Sequence, residues 1–170
     1  MLPVEGKEHV MGADDLIVSK TDLKGHITYA NDTFLRMAEL TLTETIGKPH
    51  SVIRSRAMPR SVFQLLWEKI QSGEEIFAYV VNRSKSNNHY WVLAHVTPSY
   101  DASGKLCGYH SNRRKPNPAA IARISQLYAE LLAEEQGVKN AKQGMHAGYA
   151  RLTSTLQNIG MDYDRFVFSL

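Results

Sequence analysis

One cysteine, Cys107, stands in the whole 170-residue chain, so no intrachain disulfide can form and nothing points to an oxidising compartment. Long apolar runs are missing as well. Nothing approaches the roughly 18 residues of a spanning helix, and the N-terminus carries charges where a secretory signal needs an apolar stretch. Neither sign of charge dominates: 20 Lys and Arg face 17 Asp and Glu, and a net +3 is too small to argue for nucleic acid. Low-complexity tracts are absent, and 43% hydrophobic with 22% charged residues rules out a fibrous or largely disordered chain. The expectation is a soluble, cytoplasmic protein with one compact domain and room for an appendage.

Catalytic signatures are missing too. No GxSxG, HExxH, P-loop, GxGxxG or CxxC occurs. Seven histidines are scattered without an HxxxH pair, and His89 and His95, six apart on one predicted strand, do not make a metal site. Cys107 falls in a predicted core strand, where a buried thiol is inert packing. Nothing here reads as an enzyme.

What is present is a clear order of elements. Residues 1–15 are polar with scattered apolar positions, a short cap or an arm. Apolar residues 16–18 and the strand-like 26–29 flank Lys24-Gly25, which predicts two antiparallel strands joined by a tight turn. Asn31 is a good N-cap for a helix whose Phe34, Met37 and Ala38 share one face, and 43–47 adds a helical turn. Residues 49–59 resist either period. Pro59 then opens a stronger helix to Gln71, with Val62, Leu65, Leu66 and Ile70 spaced by three and four. Three strands follow at 75–82, 88–97 and 106–111. This is an α+β domain over 16–115, a five-stranded antiparallel sheet with short helices on one face.

Pro116-Asn117-Pro118 marks its end. Within 116–170 one apolar stripe runs through Ile121, Ile124, Leu127, Tyr128, Leu131 and Leu132. After Gly137 a second runs through Val138, Ala141, Met145, Tyr149, Leu152, Leu156 and Ile159. The pattern predicts a C-terminal helical hairpin whose small residues, Ala141, Gly144, Ala147 and Gly148, admit another helix closely, from the same chain or from a second copy. The aromatic end, residues 163–170, is expected to dock rather than hang free.

Ligand binding has better candidates than catalysis. Arg54, Arg56 and Arg60 offer forked donors suited to phosphate oxygens, against the plainer reading of a solvated basic loop. Trp67 and Trp91 are expected to face the space between helices and sheet, either as core or as flat walls for a stacked ring. The Asn82 amide suits a heteroaromatic edge, or simply ends a strand. Arg113-Arg114-Lys115 reads as a solvated charge run before a linker.

These residues carry a resemblance. Thr21-Asp22-Leu23 with Ile27-Thr28-Tyr29-Ala30-Asn31-Asp32-Thr33-Phe34 resembles the opening of a PAS domain. The likeness continues through Gly47-Lys48-Pro49-His50, Arg54, Met58-Pro59, Phe63, Trp67, Asn82-Arg83-Ser84-Lys85, His89-Tyr90-Trp91-Val92 and Gly108-Tyr109. Within the PAS superfamily it is most similar to the sensory domain of bacterial aerotaxis receptors, which hold FAD non-covalently and report its redox state. The resemblance implies a PAS fold, signal transduction by redox sensing, and cofactor contacts from Asn31, His50, Arg54, Trp67 and Asn82, with Trp91 added as a stacking wall. Two departures matter: Ser55-Arg56-Ala57 stands where the family carries His-Pro-Asp, and His95 replaces a pocket asparagine. FMN, an altered FAD pose, another ligand or an empty cavity stay open. The light-sensing subgroup's Asn-Cys-Arg-Phe-Leu motif is absent.

Where aerotaxis receptors continue into a membrane anchor, this sequence continues into amphipathic helix. That implies a homodimer through the C-terminal helices, or a signalling partner, without membrane insertion. The competing expectations are a haem-binding gas sensor using His50, His95 or His110, and a ligand-free dimerisation module.

Overall fold

A carboxylate closes the first hairpin. In the computed structural model, which describes residues 2–170, β1 (Ile17–Thr21) and β2 (Ile27–Ala30) pair antiparallel. Asp22 accepts hydrogen bonds from the amides of Lys24 (2.8 Å) and His26 (2.9 Å). Gly25 takes φ +80° in this turn, a conformation glycine adopts at little cost. Asn31 then caps α1 (Asp32–Ala38), its Oδ1 accepting from the Phe34 amide at 3.0 Å, and the helix buries Phe34, Met37 and Ala38. A reciprocal Thr41–Glu44 capping box starts α2 (Leu42–Thr45). The segment without a period holds a 3-10 turn, His50–Ile53. The helix α3 (Arg60–Gln71) buries Ser61, Val62, Leu66 and Ile70.

The remaining strands, β3 (Ile76–Arg83), β4 (His89–Tyr100) and β5 (Leu106–Arg114), complete a five-stranded antiparallel sheet of order β2-β1-β5-β4-β3. Both β4 and β5 run past their predicted ends. Their last residues break the apolar alternation because the inner side of β5 is polar: Ser111 lies opposite Val96, and Arg113 opposite Ala94 and Ile17.

Register divides the sheet into two faces. Val80, Asn82, Ala94, Val96, Ser111 and Arg113 line the cavity on the helix side. Tyr79, Val81, Trp91 and Leu93 alternate with that set and point to the other side, because side chains along a strand have a period of two. The expectation that Trp91 faces the cavity is therefore corrected. Its ring stacks on Tyr128, centroids 6.3 Å apart. Cys107 is corrected as well: it is exposed at the start of β5, not buried in the core.

The outer face is covered by the chain's own C-terminal part. In α4 (Pro118–Gln136) the buried residues are Ala120, Ile124, Leu127, Tyr128, Leu131 and Leu132. The Tyr128 hydroxyl donates to the Tyr79 carbonyl at 2.6 Å. The stripe offered by the sequence to a partner is thus used within the chain. The next helix, α5 (Ala141–Asn158), packs between α4 and α3 through Gly144, Gly148 and Leu152. Ile159 of the predicted second stripe is 45% exposed, because bare backbone rather than a wide apolar face makes this contact. The aromatic end docks as expected: α6 (Tyr163–Phe168) lies beside β3, with Phe168 and Phe77 ring centroids 4.7 Å apart. The N-terminal arm docks too, exchanging backbone hydrogen bonds with His89 from Lys7 and His9 and burying Leu2 and Met11.

Among the long-range contacts that tie the C-terminal helices to the helix layer, one caps a helix. Pro59 gives α3 no side-chain cap. Glu135 of α4 supplies one, its carboxylate accepting from the Arg60 amide (3.0 Å), the Ser61 amide (2.8 Å) and the Ser61 hydroxyl (2.8 Å).

Candidate functional site

Between α3, the His50 turn and the inner sheet face lies a cavity of about 270 Å³. Its apolar walls include Phe63, Leu66, Ile70, Val80 and Val96, and Trp67 closes one side with its ring edge-on to Tyr109 at 5.6 Å. Gly25 permits that placement, since a Cβ there would stand 3.0 Å from the Trp67 ring.

The polar part of the lining is incomplete. Asn82, Ser111 and Arg113 are buried, and each carries a polar atom without a hydrogen-bond partner: Asn82 Nδ2, Ser111 Oγ and Arg113 Nη1. Orphaned buried groups are rare and costly, at about 1–3 kcal/mol each. Here three of them line one cavity. Their donors match a ligand edge rich in carbonyl oxygens and ring nitrogens.

Arg113 is the unexpected member. Read as part of a solvated run, it is 5% exposed, and no carboxylate pairs with it among the described residues. Its Nη2 donates to His50 Nε2 (2.7 Å) and to Ser19 Oγ (3.2 Å). Burial pushes the guanidinium down to about 10. Because β5 continues past its predicted end to Arg114, strict alternation puts Arg113 on the side of Tyr109 and Ser111.

His50 answers that cation by staying neutral. Its Nε2 accepts from Arg113 and therefore carries no proton, and its ring meets Phe34 edge-on at 5.8 Å. Burial first, and the Arg113 charge second, hold its pKa at about 3. The folded chain thus refuses a proton that the unfolded chain binds near the ordinary value of about 6.5. Stability is full above that value and is lost as pH falls toward 3. We expect His50→Gln, which can still accept from Arg113, to remove roughly 1–3 kcal/mol of the destabilisation between pH 7 and pH 4.5. Urea midpoints of both proteins at the two pH values check this, and parallel declines would contradict it.

The other residues singled out from the sequence divide cleanly. His50, Arg54, Trp67 and Asn82 come together around the cavity. Arg54 bridges backbone to backbone with Asn82 and lays its guanidinium over Phe63, 4.1 Å from the ring centroid. Asn31 stands apart. Its amide donates to the Leu16 carbonyl at 2.8 Å, and its oxygen accepts from Val18 and Phe34, so it joins β1 to α1. Trp91 lies on the far face, and so does His95, which stacks on Phe77 at 4.0 Å and meets Glu75 at 2.7 Å. Ser111 and Arg113 were not found by motif reading, because nothing in their identity marks them. No three His, Cys, Asp or Glu side chains cluster as metal ligands among the described residues. No helix among them is long and apolar enough to cross a membrane.

Comparison with known proteins gives a consistent set of relatives. Residues 12–111 match the PAS fold family. The aerotaxis receptor of Escherichia coli K12 is 39% identical over 120 residues, which is 71% of this chain and 24% of that protein. A nitrogen fixation regulatory protein of Klebsiella pneumoniae is 26% identical over 97 residues, 57% of this chain and 20% of that one. The chain therefore spans about a quarter or less of the length of these relatives. Among solved structures, the light-state LOV domain of the blue-light photoreceptor Aureochrome1 superposes with a TM-score of 0.55 at 22% identity, covering 72% of this chain and 91% of that one.

Proposed function

The chain belongs to the PAS family, and from that premise we propose that it is a sensor whose cavity holds a flavin non-covalently, FAD in the first instance, and relays the flavin's redox state through α4–α6 to a partner. The observation that carries this reading is the set of orphaned donors on Asn82, Ser111 and Arg113 along one apolar-walled cavity. A flavin presents carbonyl oxygens and ring nitrogens along one edge, and when bound it supplies a ring system whose charge changes with redox state. Asn82 and Arg113 then hold the polar edge of the ring, and Trp67 with Phe63 flanks it. Arg54 faces the phosphate end, and His50 keeps Arg113 aimed inward. Asn31 and Trp91 receive no ligand contact in this proposal, since their partners are the backbone of β1 and Tyr128.

The proposed output follows from the packing. A change at Arg54 and Phe63 reaches the first turn of α3, and Glu135 of α4 is bound to that turn. Dimerisation through the C-terminal helices then requires the hairpin to leave the sheet, because its apolar stripe is buried in the monomer. The test is the absorption spectrum of the purified chain and of the chain after addition of FAD and FMN. We expect one flavin per chain, released on heating. Protein that stays colourless throughout sinks the proposal.

A further inference from the structure

A cluster of cations remains outside the inner cavity. Next to it, with Ser51 and Arg54 in the lining of both, is a second, polar chamber of about 640 Å³. One wall is the 51–60 segment, and the other is the end of α4, the start of α5 and the connection between them. Arg54, Arg56, Arg60 and Lys139 all line it. None of the four has a carboxylate at salt-bridge distance among the described residues. The carboxylate in the lining, Glu135, is committed to the amides of Arg60 and Ser61 and to the Ser61 hydroxyl. Four cations thus share the chamber with one carboxylate, and Arg54 feels both the Arg60 charge and, in opposition, that of Glu135. Burial, and then the neighbouring Arg60 charge, pull the Arg54 pKa down.

Unpaired like charges around a concave chamber make a field that concentrates polyanions. Arginine forks fit phosphate oxygens in pairs, and a lysine adds a mobile point charge. The inner cavity alone falls just short of the ~300–1,000 Å³ range of small-molecule sites, whereas both chambers together fall within it, toward its upper end. We infer that the outer chamber receives the diphosphate of a dinucleotide whose ring system enters the inner cavity, and that the helical hairpin, through Lys139, is a wall of the ligand site. The ring's identity rests on the flavin reading; the diphosphate does not. One consequence is directional. The diphosphate ties the α4–α5 connection to the 54–60 segment, so a dinucleotide docks the hairpin more firmly than its ring or its mononucleotide does.

The experiment uses the full chain freed of ligand, titrated with riboflavin, FMN, FAD and ADP, beside Lys139→Glu. Lys139 is exposed, so the substitution leaves the fold intact. We expect FAD to bind more tightly than riboflavin. Lys139→Glu should weaken FAD and ADP about tenfold while changing riboflavin by less than about twofold, the scale of one charge-assisted phosphate contact. Hydrogen exchange in residues 132–142 should slow more with FAD than with riboflavin. Equal affinities for FAD and riboflavin, or a variant that binds FAD and ADP as tightly as the parent, overturn the inference and leave the flavin reading standing. ADP binding without any flavin binding overturns the flavin reading and leaves the outer chamber standing. Binding of none of the four overturns both.

Discussion

Replacing Arg113 with methionine is expected to stabilise the ligand-free chain while weakening flavin binding roughly 100-fold. The two effects share one cause. Arg113 is a buried cation without a counter-anion among the described residues, and its desolvation is only partly offset by His50 and Ser19. Methionine keeps an unbranched stem of similar length and removes the charge. The two groups left behind also satisfy each other, since Ser19 Oγ and His50 Nε2 already lie 3.1 Å apart. The gain should be about 1–3 kcal/mol, the range seen when buried ionic groups are replaced by apolar ones. Urea denaturation of the ligand-free proteins measures the first effect, and flavin titration the second. A variant that loses stability and keeps its flavin affinity would show that Arg113 is a structural group rather than one placed for a ligand.

Gly144→Ala is expected to unseat the hairpin. At this position α5 crosses α4 so closely that an added Cβ would collide with the backbone carbonyl oxygen of Glu135. Backbone cannot rotate away as a side-chain tip can, so the two helices must separate. Overpacking of this kind costs about 1–3 kcal/mol and occasionally more. Here the displaced residue is also the cap of α3, so the Arg60 and Ser61 amides lose their acceptor. Hydrogen exchange should quicken in residues 141–158 and at the first turn of α3, while β4 and β5 amides keep their protection. Unchanged protection in α5 would mean that the crossing relaxes without cost.

Much of this arrangement could be read from the sequence, and what could not has physical reasons. The Asn31 cap, the Lys24-Gly25 turn and the helix after Pro59 are encoded within a few residues, so local chemistry reveals them. The order of strands followed from alternation and turn residues. Trp91 was misread because a large aromatic was assigned to a cavity by its type, whereas its parity with Leu93 already placed it on the opposite face. Arg113 was misread in the opposite way, its charge outweighing its parity. Glu135 as the cap of α3 was not legible at all: it lies 74 residues from Ser61, and no local pattern reports a bond across that distance. Half of the polar lining was legible through the family motifs. In the other half, Ser111 lay inside the predicted strand with no motif to mark it, and Arg113 depended on knowing that β5 continues to Arg114.

The position of β3 has a consequence of another kind. It is the last strand of the sheet, and its Ile76-Phe77-Ala78-Tyr79-Val80-Val81 carries no charge, proline or glycine. An uncovered edge of that composition is a template for pairing with the same strand of another molecule, the pattern that leads to cross-β aggregation. The docked α6, with Phe168 against Phe77, and α4, whose Tyr128 hydroxyl donates to the Tyr79 carbonyl, blunt that template. The C-terminal helices therefore guard that edge. Any state in which they swing away bares an adhesive strand, so it must be brief or find a partner at once, and a chain cut before α4 would precipitate sooner than it would signal.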